Sequence, residues 1–192
     1  MTKFGDPTFQ RHVTAASIWG LLALHLADDE LLPFNYVSYA NELQACTKDF
    51  KDDISRKGIN LTPLYKSIQD LEKAACKINS QIKELKEITG WASKWRKKDP
   101  IEVRELNDRL MMAERAFTDR DGLLGRPWYK HLVYAPSQYN DYGSRCFPGI
   151  DDAINEAKRL NTTELWRRVQ HEVWRVSRAI TQASLVLSGE LK

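Results

Sequence analysis

The sequence predicts an all-α protein, an up-down helical bundle of four to five long helices with one long ordered loop at 117–149. Three observations carry this. Apolar residues recur every three or four positions through most of the chain, the mark of one buried helical face. Asp6-Pro7, Thr62-Pro63 and Asp99-Pro100 repeat one start signal, a capping side chain followed by a proline whose missing N–H costs nothing in a first turn. No stretch alternates as a strand does, although 131–134 is suited to a short extended piece.

The first helix, over about 8–28, is apolar on nearly every face through Ile18, Trp19, Leu21, Leu22, Leu24 and Leu26. A helix without a polar face must be buried all round. It is therefore expected either at the centre of the bundle or shared with a partner surface. After a break at Leu31, Leu32, Pro33 and Phe34, Asn35 caps a second helix along Tyr36, Tyr39, Leu43, Cys46, Phe50 and Ile54, which Lys57-Gly58 closes. The third carries Leu64, Ile68, Leu71, Ala75, Ile78, Ile82, Leu85 and Ile88, a stripe narrow enough for a bundle seam. A fourth follows Asp99-Pro100 through Val103, Leu106, Leu110, Ala113 and Phe117. Pro148-Gly149 opens a short helix, and the last helix begins near Thr162 or Thr163 with Trp166, Val169, Val173, Val176, Ile180, Ala183 and Leu187.

The loop at 117–149 concentrates Trp128, Tyr129, His131, Tyr134, Tyr139 and Tyr142 among glycines and prolines. Disordered segments lack such aromatic density, and irregular connections beyond roughly 15 residues are usually functional. Arg126, Tyr129, His131, Tyr134, Tyr139, Asn140, Tyr142 and Arg145 supply hydrogen-bonding groups suited to a small polar or anionic ligand. The competing account is that these side chains fill the loop's own small core, and the residues alone favour it slightly.

Composition narrows the rest. The chain has 192 residues, 42% hydrophobic and 29% charged, an ordinary globular balance. Its 29 basic and 26 acidic residues leave a net charge of +3, too little to recruit nucleic acid. The run Lys94, Arg96, Lys97 and Lys98 reads as a solvated helix end. Cys46, Cys76 and Cys146 are too few and scattered for a disulfide framework, and they leave the compartment open. No signal peptide opens the chain, and its longest apolar stretch, at 15–27, is too short for a membrane span of roughly 20 residues. Asn60 and Asn161 head N-glycosylation triplets. His25, Asp28 and Asp29 have metal-ligand spacing on a helix, but a polar helix end accounts for them. Asp151 and Asp152 suit a helix start, and Glu105 with Arg109 and Glu114 with Arg115 suit surface pairing. No catalytic constellation is present by spacing.

Specific blocks do carry a family resemblance. Leu106-Asn107-Asp108, Glu114-Arg115-Ala116-Phe117, Asp119, Gly122-Leu123, Arg126-Pro127, Tyr129, His131, Tyr134-Ala135-Pro136-Ser137, Asn140, Tyr142 and Phe147-Pro148-Gly149-Ile150 resemble the C-terminal helical domain of glutamate carboxypeptidase II. Lys3-Phe4, Asp6-Pro7, Phe9, His12 and Leu32-Pro33-Phe34 extend the likeness to nearly the whole chain. The family includes the transferrin receptors, and the opening 1–7 is most similar to its plant altered meristem program members.

This resemblance implies that residues 1–192 form a single helical dimerisation domain that pairs with a second copy and packs on an upstream zinc peptidase domain absent from the chain. It implies two zinc ions in that domain, and no cofactor and no catalysis in this fragment; the small net charge already argues for no nucleic-acid partner. The parent is expected to be a zinc-dependent carboxypeptidase, or else a receptor-like or regulatory member without peptidase activity. It is expected to be a single-pass type II membrane glycoprotein, held only by its N-terminal anchor, with this domain on the lumenal or extracellular side, in the endoplasmic reticulum for the plant type. In the carboxypeptidases a Lys-Tyr pair following Asn grips the substrate's terminal glutamate. Asn140 and Tyr142 match that pattern, whereas Asp141 replaces the Lys and sets a negative charge where an anion would bind.

Overall fold

The computed structural model describes residues 5–54, 57–87, 99–138 and 144–191. Among them are six helices, α1 (Gln10–Asp28), α2 (Tyr36–Ile54), α3 (Thr62–Glu87), α4 (Pro100–Ala116), α5 (Pro148–Leu160) and α6 (Thr163–Ser188). Two three-residue strands, β1 (Tyr134–Pro136) and β2 (Ser144–Cys146), pair antiparallel between α4 and α5. The all-α class stands. The count is six rather than four to five, α5 being the short helix expected after Pro148.

The core is arranged around α6, which packs against α3, α4 and α5, while α2 lies on α3. Trp166, Val169, Val173, Val176, Ile180, Ala183 and Leu187 are all buried, as their spacing predicts. Ser177, Ala179 and Ser184 are buried as well, and side chains this small let neighbouring backbones approach α6 from several directions. Leu64, Ile68, Leu71, Ala75, Ile78 and Leu85 of α3 are buried in the same core, as are Val103, Leu106, Leu110 and Ala113 of α4. Each large aliphatic side chain so buried contributes about 1.5–3 kcal/mol.

Local signals fix the helix ends. The Asn35 carboxamide oxygen accepts from the Val37 and Ser38 amides at 3.1 and 3.2 Å. Asp99 accepts from the Ile101 amide at 2.9 Å, and Thr162 from Leu165 at 3.4 Å. Gly189, at φ +82°, ends α6 in the left-handed region that only glycine adopts freely. Arg109 was expected to pair with Glu105 on the surface. Instead its guanidinium donates to the Leu187 carbonyl, 3.0 Å from Nε, and to Gln81 at 3.2 Å, tying the end of α6 to α4 and α3.

α1 departs from expectation. None of its residues is buried, and Val13, Ile18, Trp19, Leu21 and Leu24 are each more than half exposed. It is not the central helix of this bundle, a place α6 occupies, so only the partner-surface alternative remains. Its start also differs, because Phe9 holds the N-cap position and Asp6 reaches a first-turn amide from four residues before the helix. The Asp6 carboxylate accepts from the His12 amide at 3.0 Å and ring at 2.6 Å, and the helix begins at Gln10.

Asn107 fastens the segment that joins α1 to the bundle. Its carboxamide accepts from the Leu32 amide at 3.0 Å and donates to the Glu30 carbonyl at 2.8 Å, beside buried Leu31. Asn107→Ala is expected to cost about 1–3 kcal/mol by stranding these groups. Urea melts and faster amide exchange at Leu32 check this; unchanged exchange there contradicts it.

Candidate functional site

The candidate site is the presented loop, and the fold makes it a stapled structure rather than an open chain. It leaves α4 at Phe117, fully buried, whose ring stacks on Tyr39 of α2 at 5.0 Å. Tyr134 meets Tyr39 edge-on at 5.3 Å, and His131 lies 5.8 Å from the Phe117 ring. The Val133 and Tyr134 amides donate to His131 Nδ1 at 3.3 and 2.9 Å, so the ring proton sits on Nε2, 3.3 Å from Glu114. A tight reversal at 122–129 needs Gly122 at φ +70°, where a Cβ would lie 2.6 Å from the Pro127 carbonyl oxygen.

Two arginines hold the reversal to the helices. Arg126, buried, donates to the Pro136 carbonyl at 2.6 Å and pairs with Asp152 of α5, and its guanidinium lies over the Tyr129 ring. Asp152 also accepts from the Gln138 amide at 3.0 Å. It therefore secures the loop as well as complementing the helix start. From α6, Arg175 donates to Asp119 at 3.0 Å, to the Gly122 carbonyl at 2.8 Å and to buried Glu172 at 3.0 Å. Glu172 reaches under Gly149, where a Cβ would approach its carboxylate to 2.8 Å.

Arg126, His131 and Tyr134 are thus committed to the loop's own packing, the account that the residues alone favoured. Asn140, Asp141 and Tyr142, with Tyr139, lie outside the described residues, in the connection between the paired ends Pro136 and Ser144. The basic run at 94–98 lies outside them too. Asn60 and Asn161 are both exposed. Asn60 accepts from the Thr62 amide at 2.9 Å, and Asn161 from Lys57 Nζ at 3.1 Å. His25 pairs with Asp29 at 3.0 Å on exposed helix, and no three His, Cys, Asp or Glu gather as metal ligands among the described residues. The residues described therefore do not fit a zinc site. No described helix is long and apolar enough to cross a membrane.

Sequence reasoning missed one anchor outright. Cys46 of α2 and Cys146 of β2 form a disulfide across 100 residues, with Cα atoms 6.1 Å apart, and Cys76 is free and exposed. The bond fixes the outgoing strand of the hairpin to the bundle. Nothing in the cysteine spacing gives the pairing; the only hint is that Cys46 continues the apolar stripe of α2.

Two outcomes follow for the staples. Arg175→Ala leaves buried Glu172 without its guanidinium partner and Asp119 with only the more exposed Arg178, 3.5 Å away, and breaking such a buried pair costs about 3–5 kcal/mol. Burial opposes ionisation of Asp119, but the Asp121 amide and the Arg175 charge outweigh it and hold its carboxyl below the usual range. Its stabilising contribution is present above the unfolded value of about 3.9 and is lost as pH falls through the lower folded value. Urea melts at pH 7 and below pH 4 should show Asp119→Asn flattening that acid loss. For the disulfide, thiol titration of the denatured chain should find Cys76 alone, and Cys46→Ser should cost about 2–5 kcal/mol. Three titrating thiols in protein refolded under air would show the bond absent.

Comparison with known proteins agrees with this architecture. Residues 59–188 match the family described as Transferrin receptor-like dimerisation domain. The chain is 56% identical over 191 residues to Probable glutamate carboxypeptidase LAMP1 of Arabidopsis thaliana, covering 100% of this chain and 26% of that protein. It is 42% identical over 192 residues to Probable glutamate carboxypeptidase VP8 of Zea mays, covering 99% and 26%. It is 29% identical over 153 residues to Inactive zinc metalloprotease C354.09c of Schizosaccharomyces pombe, covering 79% and 19%. The chain spans about a quarter of the length of its plant relatives. A bundle closed around α6, carrying one stapled loop and matching over 59–188, belongs to the transferrin receptor-like dimerisation domain family of glutamate carboxypeptidase-like proteins.

Proposed function

We propose that this chain is the helical module of a glutamate carboxypeptidase-like protein, serving to pair two copies and to complete the substrate pocket of an upstream zinc peptidase domain. The observation that carries the reading is the division between its two parts. The bundle that matches the dimerisation family closes on its own core, whereas α1, outside the matched 59–188, is apolar on nearly every face and is left exposed by the described residues. Such a helix fits the interior of a neighbouring domain. Single-domain status for 1–192 accordingly gives way, in this proposal, to a bundle plus one helix lent to that neighbour.

The stapled loop then has a purpose. Arg126, Arg175 and the disulfide make a firm base on both sides of the connection that holds Asn140, Asp141 and Tyr142. Firm bases place pocket residues more reproducibly than free loops do. Zinc is assigned to the upstream domain, and no step is derived through it here. The disulfide, which persists in oxidising compartments, and the exposed Asn60 and Asn161 favour a lumenal or extracellular glycoprotein. Placement in the endoplasmic reticulum, on a type II anchor, belongs to the same proposal.

A second reading is supported by Asp141 and by the inactive metalloprotease among the relatives, namely a regulatory member without peptidase activity. The two separate in a chimera that joins this chain to the preceding part of the Arabidopsis relative. In an active chimera Asp141→Lys should raise kcat/KM for acidic dipeptides by about tenfold or more, since a repulsive contact becomes attractive, and Tyr142→Phe should lower it. If neither variant moves turnover, the pocket role is wrong; if no chimera is active, the second reading gains.

A further inference from the structure

One side chain in the loop makes a contact that only one of its charge states allows. His131 Nδ1 accepts from the amides of Val133 at 3.3 Å and Tyr134 at 2.9 Å. A neutral imidazole has one nitrogen that accepts and one that donates, whereas the imidazolium has two donors. A proton added at Nδ1 would face two N–H groups, so the turn at 131–134 and the charged ring exclude each other. Asn35 makes the same turn with a carboxamide oxygen, accepting from the amides two and three residues on, but no carboxamide titrates near neutrality. Histidine is the side chain whose ordinary charge change falls between pH 5 and 8.

The groups around the ring decide what a proton does there. From α4, Glu114 Oε1 lies 3.3 Å from Nε2 and favours a cation, but Glu114 is 45% exposed, so water screens the attraction. It meets the ring at Nε2 rather than Nδ1, and so can hold the imidazolium after the turn has opened. From β1, the Tyr134 ring stacks on His131 at 6.1 Å, and Tyr39 of α2 meets Tyr134 in turn. Burial raises both phenols above their ordinary range, so neither is charged near neutrality. Glu42 of α2 places a carboxylate charge near Tyr134, and the adjacent Lys130 is bonded to the Arg120 carbonyl at 2.6 Å. Residues 130–132 do not depend on the ring: the Leu132 amide donates to the Phe117 carbonyl at 3.0 Å, and the Asp119 amide to the Lys130 carbonyl at 2.8 Å. What the ring alone secures is Val133 and Tyr134, the entry to β1.

We infer that His131 is an acid-sensitive latch: neutral, it closes the turn that leads into β1; protonated, it releases the Val133 and Tyr134 amides and loosens the base of the loop. The open turn binds one more proton than the closed one, so opening is favoured as pH falls and reversed as it rises. The latch stands apart from the pairing and pocket roles proposed above, since it concerns only the residues at the loop's base.

Amide exchange followed by NMR on the 192-residue chain at pH 7.5 and 5.5 tests this, with rates corrected for the intrinsic effect of pH. Protection of Val133 and Tyr134 is expected to fall about tenfold over that range, the limit set by one proton per opening and an ordinary histidine value of about 6.5, while Leu132 keeps its protection. His131→Asn retains an acceptor for both amides and loses the charge change, so its protection is expected to be the same at both pH values. No fall in the unaltered chain, a fall of equal size in His131→Asn, or one shared by Leu132 overturns the inference. Imidazole nitrogen shifts of the unaltered chain give a second reading that needs no variant. Nδ1 is expected to gain its proton as Tyr134 loses protection, and a ring that charges while Tyr134 stays protected overturns the latch as well.

Discussion

Burial of α6 is the constraint on which the rest depends. One helix meets three others, so its sequence must be apolar around most of its circumference and small where neighbours press closest. Ser177, Ala179, Ala183 and Ser184 meet the second demand. The remaining polar positions are not spare. Glu172 and Arg175 point to the loop, and the end of the helix is bound by Arg109 from α4. Packing, loop placement and helix termination are thus three aspects of one element, and a change in its position is felt at Asp119, Gly122 and Gly149.

Much of this was legible in the sequence. The stripes of α3, α4 and α6 became the core residue by residue because helical period and burial are the same information. The caps at Asn35, Asp99 and Thr162 were equally local. What failed was whatever required knowing the neighbour. The apolar faces of α1 imply burial, but sequence does not say inside which body, and the bundle turns out to be complete without it. Arg109 and Asp152 looked like surface charges because helical spacing offered each a nearby explanation, whereas their partners lie 78 and 26 residues away.

The loop was half legible. Its aromatic density did signal order, and Tyr39, Phe117 and Tyr134 supply it. The signal could not separate side chains that hold the loop from those that would serve a ligand, since both uses favour the same residue types. Glu172 offered a better clue than any aromatic: an acid between Val169 and Val173 on the buried face demands a cation, and Arg175 stands three residues on. Resemblance, rather than spacing, singled out Asn140, Asp141 and Tyr142.

The disulfide also alters the order in which the chain finds its shape. By bonding Cys46 to Cys146 it encloses α3, α4 and most of the loop in a covalent ring, with α1, α5 and α6 outside it. Measured along the shortest bonded path, Phe147 becomes a near neighbour of Cys46, and the packing of α5 against α2 changes from a distant encounter to a local one. Closing entropy grows with the length of chain to be gathered, and folding slows as contacts become more remote. A ring already closed therefore presents α3 and α4 together as a cleft, and the last long search left to the chain is the entry of α6 into it.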